Sequence, residues 1–238
     1  MSINIAELNE AIAAKIPDRE AIVFRDRRFT FRQMNERSRR LANLLLSHDV
    51  TLHKERSELE NWQSGQDHVA LYMYNGNEYP ECLMGTLKSR SVPVNINYRY
   101  VAAELLHVMK DANVKVIIYH GCFASKVAAI LDQLDNVKLL IQVEDGSNAP
   151  LLPGAIEYEA ALAGSSPSKP NVNLSPDDLY MIYTGGTTGM PKGVLWRQGD
   201  FLISMLGMKD KDGVPISDMD IILQQVTRSR GSSALAAP

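Results

Sequence analysis

The 238-residue chain is poor in cysteine: Cys82 and Cys122 cannot build a disulfide framework, and so few thiols suit a reducing compartment. No sign of charge dominates either. The 25 Lys+Arg stand against 28 Asp+Glu, and a net charge of -3 gives no general attraction to nucleic acid or anionic lipid. Long hydrophobic runs are missing. Stretches such as Val116-Ile117-Ile118-Tyr119 fall far short of the roughly 20 apolar residues that span a bilayer. The first twenty residues lack a basic start and a continuous apolar core, so no signal peptide is expected. His48, His53, His68, His107 and His120 have no H-x-x-x-H or C-x-x-C companion, which argues against a metal site. A G-x-S-x-G elbow is also absent, which argues against a serine hydrolase. What is present, 45% hydrophobic and 22% charged residues, is ordinary for a globular protein with a real core. The expectation is a soluble, cytoplasmic protein with no transmembrane segment and no nucleic-acid partner.

Short apolar runs alternate with helix-period segments. Ala21–Phe24, Val69–Tyr74, Val92–Ile96, Lys115–Tyr119, Val137–Val143 and Leu179–Tyr183 read as strands. Thr30 and Gln33 have capping-box spacing, and Met34, Ser38, Leu41 and Leu45 then mark one helix face. Further helices are predicted on Tyr79, Leu83 and Leu87; on Ala102, Leu105, Leu106 and Met109; and on Phe123, Val127, Ile130, Leu131 and Leu134. Cys82 falls within the first of these and Cys122 precedes the last, and both are expected to be buried free cysteines. Residues 51–68 read as a polar surface excursion with room for a short helix. The alternation predicts an α/β fold with a mainly parallel sheet covered by helices. By composition the chain divides into an α/β subdomain over 1–163, a Ser/Pro-rich linker over 164–174, a further segment over 175–226 and a tail over 227–238. The arginines at 25, 27, 28, 32, 37, 39 and 40 are expected to form a solvated face.

One loop stands apart. Residues 183–194 read Tyr-Thr-Gly-Gly-Thr-Thr-Gly-Met-Pro-Lys-Gly-Val. Glycines let backbone N–H groups converge on a phosphate, the threonines add hydroxyl donors, and Lys192 brings a compact positive charge. The loop is neither a Walker A motif, since Pro191 and Gly193 flank the lysine, nor a dinucleotide G-x-G-x-x-G turn.

This string resembles the phosphate-binding loop of adenylate-forming enzymes, Y-T-S-G-T-T-G-x-P-K-G-V, the superfamily of acyl-CoA synthetases, peptide-synthetase adenylation domains and luciferases. Gly185 stands where the usual form has serine, and every other specified place is met. With Met190 and Val194–Gln198, it is similar to acyl-CoA synthetases that handle fatty or sterol-derived acids. The resemblance extends over about residues 17–201 through Pro17–Ile22, Phe29–Phe31, Arg37–Ala42, Val69–Pro80 and Val92–Tyr100.

The resemblance implies the N-terminal domain of an ATP-dependent acid–thiol ligase, without the mobile C-terminal domain. In that chemistry a carboxylate attacks the α-phosphate of Mg-ATP, and coenzyme A then displaces AMP. ATP, Mg²⁺ and coenzyme A are therefore the implied substrates and cofactors. Thr184, Gly185, Gly186, Thr187, Thr188 and Gly189 would wrap the β/γ-phosphates, with Lys192 as a charge clamp. No catalytic residue is expected here, because the family's catalytic lysine and ribose-binding aspartate lie beyond this stretch. The resemblance thus implies a truncated synthetase, inactive alone and prone to self-association through exposed core. The other reading is a non-catalytic remnant that at most binds nucleotide phosphates or a partner chain.

Overall fold

A computed structural model describes residues 3–185 and 189–228. Helix α1 (Ile5–Lys15) starts at Asn4, whose side chain accepts from the Ala6 and Glu7 amides. A separate hairpin of β1 (Glu20–Phe24) and β2 (Arg27–Thr30) leads into α2 (Phe31–Ser47). The capping box forms: Thr30 Oγ1 accepts from the Gln33 amide, and the Gln33 side chain accepts from the Thr30 amide. Met34, Ser38, Leu41 and Leu45 are all buried along one face, as expected.

The remaining elements are β3 (His68–Tyr72), α3 (Glu78–Lys88), β4 (Val92–Asn95), α4 (Ala102–Asp111), β5 (Val114–His120), α5 (Ala124–Leu131), β6 (Leu139–Val143), β7 (Ala155–Glu157), α6 (Tyr158–Ala163), β8 (Leu179–Thr184), β9 (Lys192–Arg197), α7 (Gln198–Ser204) and α8 (Met219–Arg228). Seven strands form one sheet in the order β7-β6-β5-β3-β4-β8-β9. All neighbours are parallel except β8 and β9, which are antiparallel.

The sheet is buried on both faces, so its central strands carry continuous apolar runs, Val69–Tyr72 in β3 and Val116–Tyr119 in β5, rather than alternating ones. Ala70 and Tyr72 of β3 and Ile117 and Tyr119 of β5 pack under α4 and α5. Val69, Leu71, Val116 and Ile118 point the other way, under α2, α3 and α6. A third cluster gathers α1, α7 and α8 around Leu87 and, from β8, Tyr180. Cover is thinner at the β9 edge, where Lys192, Gly193 and Val194 are exposed.

Several expectations need correction. The stripe on α4 is rotated: Ala102 is exposed, and Leu105, Val108 and Met109 are the buried positions. Phe123 lies in a 3₁₀ turn ahead of α5, and Leu134 lies beyond the helix end. The 51–68 excursion holds its short helix as a 3₁₀ turn, Arg56–Glu58, but its end is not on the surface: Gln66, Asp67 and His68 are buried and His68 opens β3. Helix α8 runs through Arg228, and residues 229–238, the rest of the expected tail, lie outside the described ones.

The arginines of 25–40 divide: Arg25, Arg27, Arg28 and Arg32 are exposed, as expected, whereas Arg37, Arg39 and Arg40 are half-buried and tied to other elements. Arg28 pairs with Glu20, Arg32 with Asp18, Arg27 with Glu78 and Arg39 with Glu10. Arg37 bridges buried Glu81 at 2.8 Å and Glu159 at 2.6 Å. Arg40 donates to the carbonyls of Leu162 and Ser165, and Asn43 to those of Ser166 and Ser168. The 164–174 segment is therefore tied to α2 at its start, and beyond it β8 joins the same sheet as β3–β7. Among the described residues no helix is long and apolar enough to cross a membrane.

Candidate functional site

The unusual loop joins β8 to β9 at the C-terminal rim of the sheet. The ladder sets Tyr183 opposite Gly193 and Thr184 opposite Lys192. Directly opposed residues project from the same face of an antiparallel pair. The Thr184 hydroxyl and the Lys192 ammonium therefore rise together at the mouth of the loop, and both residues are exposed. Among the described residues the Lys192 side chain has no hydrogen-bond or ion-pair partner.

Two glycines flank the loop's centre. Among the described residues, a Cβ added at Gly185 or Gly189 would meet nothing within 4 Å. Gly189 has φ +137, a conformation that favours glycine. Four of the seven sequence-selected residues, Thr184, Gly185, Gly189 and Lys192, thus surround one open loop. Donors, bare backbone and an unneutralised ammonium fit the approach of a phosphate chain. Gly186, Thr187 and Thr188 lie outside the described residues.

Helix α4 holds both stems of this hairpin. The Tyr183 hydroxyl donates to Asp111 Oδ2 at 2.6 Å. Burial pushes the Tyr183 phenol up, and its bond to Asp111 pushes it the same way. On the other stem the buried Pro191 presents its carbonyl to His107 Nε2 at 3.1 Å, and a carbonyl can only accept, so Nε2 carries the proton. Gly193 makes room for the tyrosine ring: a Cβ there would lie 3.0 Å from Tyr183 Cζ and 3.2 Å from its hydroxyl. Sequence reasoning missed these partners. His107 and Asp111 stand four apart in a predicted helix, one face of it, which was the available signal.

A second concavity lies on the same rim. The chain leaves β3 toward α3 on one face and leaves β5 toward α5 on the other, so the crevice between these strands is a topological switch point, where open α/β sheets take ligands. A cleft of about 770 Å³ opens there, lined by Arg25, Tyr74, Gly76, His120, Cys122 and Asp145 among others. The His120 ring is oriented by the Tyr74 amide, which donates to its Nδ1 at 3.1 Å. Neither cysteine is a ready nucleophile. Burial drives the Cys82 thiol well up; Cys122 is exposed and not buried as expected, and partial desolvation with the bond to Asp145 pushes it up to about 12. Among the described residues no cluster of three or more His, Cys, Asp or Glu side chains is placed to hold a metal ion.

Sheet order, helical cover and hairpin together define the N-terminal architecture of adenylate-forming enzymes. The chain belongs to the family described as AMP-binding enzyme, whose profile matches residues 9–227. It is 46% identical over 238 residues to the medium-chain acyl-CoA ligase Mig of Mycobacterium avium, covering 100% of this chain and 43% of that protein. It is 38% identical over 201 residues to a 3-oxocholest-4-en-26-oate–CoA ligase of Rhodococcus rhodochrous, covering 84% of this chain and 34% of that one. Among solved structures, the inhibitor-bound N-terminal domain of FACL13 from Mycobacterium tuberculosis superposes with a TM-score of 0.67 at 29% identity, covering 83% of this chain and 45% of that one. The chain therefore spans less than half the length of these relatives.

Proposed function

We propose that this chain provides the nucleotide-phosphate cradle of an acyl-CoA synthetase, a carboxylic acid–CoA ligase using ATP, Mg²⁺ and coenzyme A. The observation that carries this reading is the β8–β9 hairpin, with Thr184 and Lys192 paired at the mouth of a glycine-flanked loop. The names of the relatives support a fatty or sterol-derived acid as the second substrate.

In this reading Thr184, Gly185, Gly186, Thr187, Thr188 and Gly189 wrap the β- and γ-phosphates with hydroxyl and backbone N–H donors. Magnesium bound with the nucleotide supplies further charge neutralisation. Lys192 stabilises negative charge that grows on the pyrophosphate oxygens as the acid's carboxylate displaces them from the α-phosphate. Thr184 and Lys192 start from backbones paired in the strand ladder, and donors placed in advance need little reorganisation at that moment.

The relatives carry more than half of their length outside the matched stretch. This supports the further reading that the chain alone binds polyphosphate without completing adenylation. Two measurements test the proposal together. Calorimetric titration with Mg-ATP should detect binding that Lys192→Ala weakens by about 10- to 100-fold, the effect of one charge-assisted hydrogen bond. Pyrophosphate exchange with medium-chain, long-chain and steroid acids should show no carboxylate-dependent signal. An affinity unchanged by Lys192→Ala would sink the cradle, and robust exchange would sink the claim of inactivity.

A further inference from the structure

We infer that α4 is the positioning element of the phosphate hairpin, acting through His107 and Asp111, and that Gly193 is a glycine so that this clamp can close. The inference rests on the proposed role of the hairpin as a phosphate cradle, and it assigns residues outside that cradle to setting its geometry.

A hairpin at the edge of a sheet has one neighbour only, and β8 alone meets β4, through a register that pairs Val94 with Met181. That contact lies two residues below Tyr183, so the ladder to β4 does not reach the loop mouth. The mouth is instead held from α4. His107 and Asp111 are separated by one helical turn and so lie on the same side of the helix. One grips the stem leading into the loop, at the Tyr183 hydroxyl, and the other grips the stem leaving it, at the Pro191 carbonyl. Gripping both stems from one rigid helix fixes their separation and their twist. Thr184 and Lys192 are the next residues along each stem, so their positions follow from the two grips.

Gly193 completes the arrangement. Its α-carbon lies under the Tyr183 ring, at distances where a methyl group would sit 3.0–3.2 Å from three ring and hydroxyl atoms. A side chain there would lift the ring and draw its hydroxyl away from Asp111. The reason for glycine at this place is thus the close approach of a ring, not a special backbone angle. Pro191 contributes in a related way: it has no N–H of its own, and its carbonyl is the acceptor that His107 needs.

None of the clamp residues is required to touch the phosphates. They act through Thr184 and Lys192, and their removal is expected to loosen the hairpin without unfolding the sheet. Hydrogen exchange followed by mass spectrometry on the intact chain tests this without any ligand. In His107→Ala, Asp111→Ala and Gly193→Ala, peptides covering β8 and β9 should exchange about tenfold faster, as expected for losing one net hydrogen bond, while β3 and β5 peptides keep their protection. Tripolyphosphate affinity should fall by a similar factor in the same variants. His107→Gln and Asp111→Asn retain a donor and an acceptor, and both should restore exchange and affinity to near the wild-type values.

Hairpin exchange that does not change in the alanine variants would overturn the clamp, as would a failure of the Gln and Asn variants to restore it. If the wild-type chain binds no tripolyphosphate, the cradle reading fails, and the exchange experiment still decides whether α4 holds the hairpin. Faster exchange in the alanine variants with unchanged tripolyphosphate affinity would show that the clamp sets the fold of the hairpin but not the cradle, and would overturn the positioning role.

Discussion

Lys88→Ala is expected to destabilise the protein by about 3–5 kcal/mol, the range for removing one partner from a buried ion pair. Lys88 is 2% exposed at the end of α3, and its ammonium bonds Glu10 of α1 at 2.8 Å. It also donates to Asn35 and, at 2.9 Å, to Ser38, both on α2. Arg39 meets the same Glu10 carboxylate at 2.5 Å. Three helices thus share one buried charged node, and deleting the ammonium leaves Asn35 and Ser38 without their donor and Glu10 with one cation fewer. Burial alone would raise the Glu10 carboxyl, but the bond from Arg39 and the charge of Lys88 outweigh it and hold the group at about 2.

A carboxyl lowered on folding stabilises above its unfolded value near 4.5 and loses that contribution as pH falls through about 2. Urea melts of the wild type should therefore weaken across that acid window, and those of Glu10→Gln should be flatter there. A loss below about 1 kcal/mol for Lys88→Ala at neutral pH would show that the node relaxes into water and is not a structural centre. A double change to apolar residues, Lys88→Met with Glu10→Leu, should not restore stability, because it leaves Arg39 without its carboxylate and Asn35 and Ser38 without their donor.

That node also shows what the sequence could and could not reveal. Hydrophobic spacing located α2 well, since one of its faces meets the sheet and the opposite face is polar. The same reasoning put Tyr79, Leu83 and Leu87 on the inward side of α3. Leu87 is buried there, but so are Glu81, Cys82, Thr86 and Lys88, because α3 is covered by helices as well as by the sheet. A helix buried on more than one side carries polar residues inward wherever partners await them, and periodicity does not register partners. The same limit applies to Arg37, Arg39 and Arg40, whose carboxylates and carbonyls come from α3, α6, α1 and Ser165, all distant in sequence except Glu10.

The loop was legible as a phosphate-type string because its chemistry is local. Its supports at His107 and Asp111 lie more than 70 residues upstream, with separations of 84 and 72 residues from their partners. β9 went unremarked because Lys192–Arg197 mixes polar and apolar residues, as an edge strand with one exposed margin does. Helix α8 is similar: Ile222 is its one buried residue, a signal too sparse for pattern reading.

The second large effect is expected at Arg90, whose replacement by alanine should also cost about 3–5 kcal/mol. Its guanidinium meets the Asp178 carboxylate through Nε at 3.1 Å and Nη2 at 2.7 Å. It also meets Glu55 through Nη1 at 2.9 Å and Nη2 at 3.1 Å. Asp178 is 2% exposed and immediately precedes β8. Its carboxylate accepts from the Ser175 amide, and its carbonyl accepts from the Gln198 amide that opens α7. Arg90 therefore joins the 51–68 excursion, the turn after α3 and the entry to the candidate site's hairpin. Burial pushes the Asp178 carboxyl up and Arg90 opposes that push, so removing Arg90 leaves a buried carboxylate without its cation.

In urea, Arg90→Ala should shift the midpoint with an unchanged slope, since the core itself is intact. Adding Asp178→Asn to that variant should regain part of the loss by neutralising the stranded carboxylate. Arg90→Lys should fall between, because one ammonium cannot bridge two carboxylates as a planar fork does. If Arg90→Ala cost less than about 1 kcal/mol, or if Asp178→Asn gave no recovery, the buried pair would not be what anchors β8, and the hairpin's position would rest on α4 and the sheet alone.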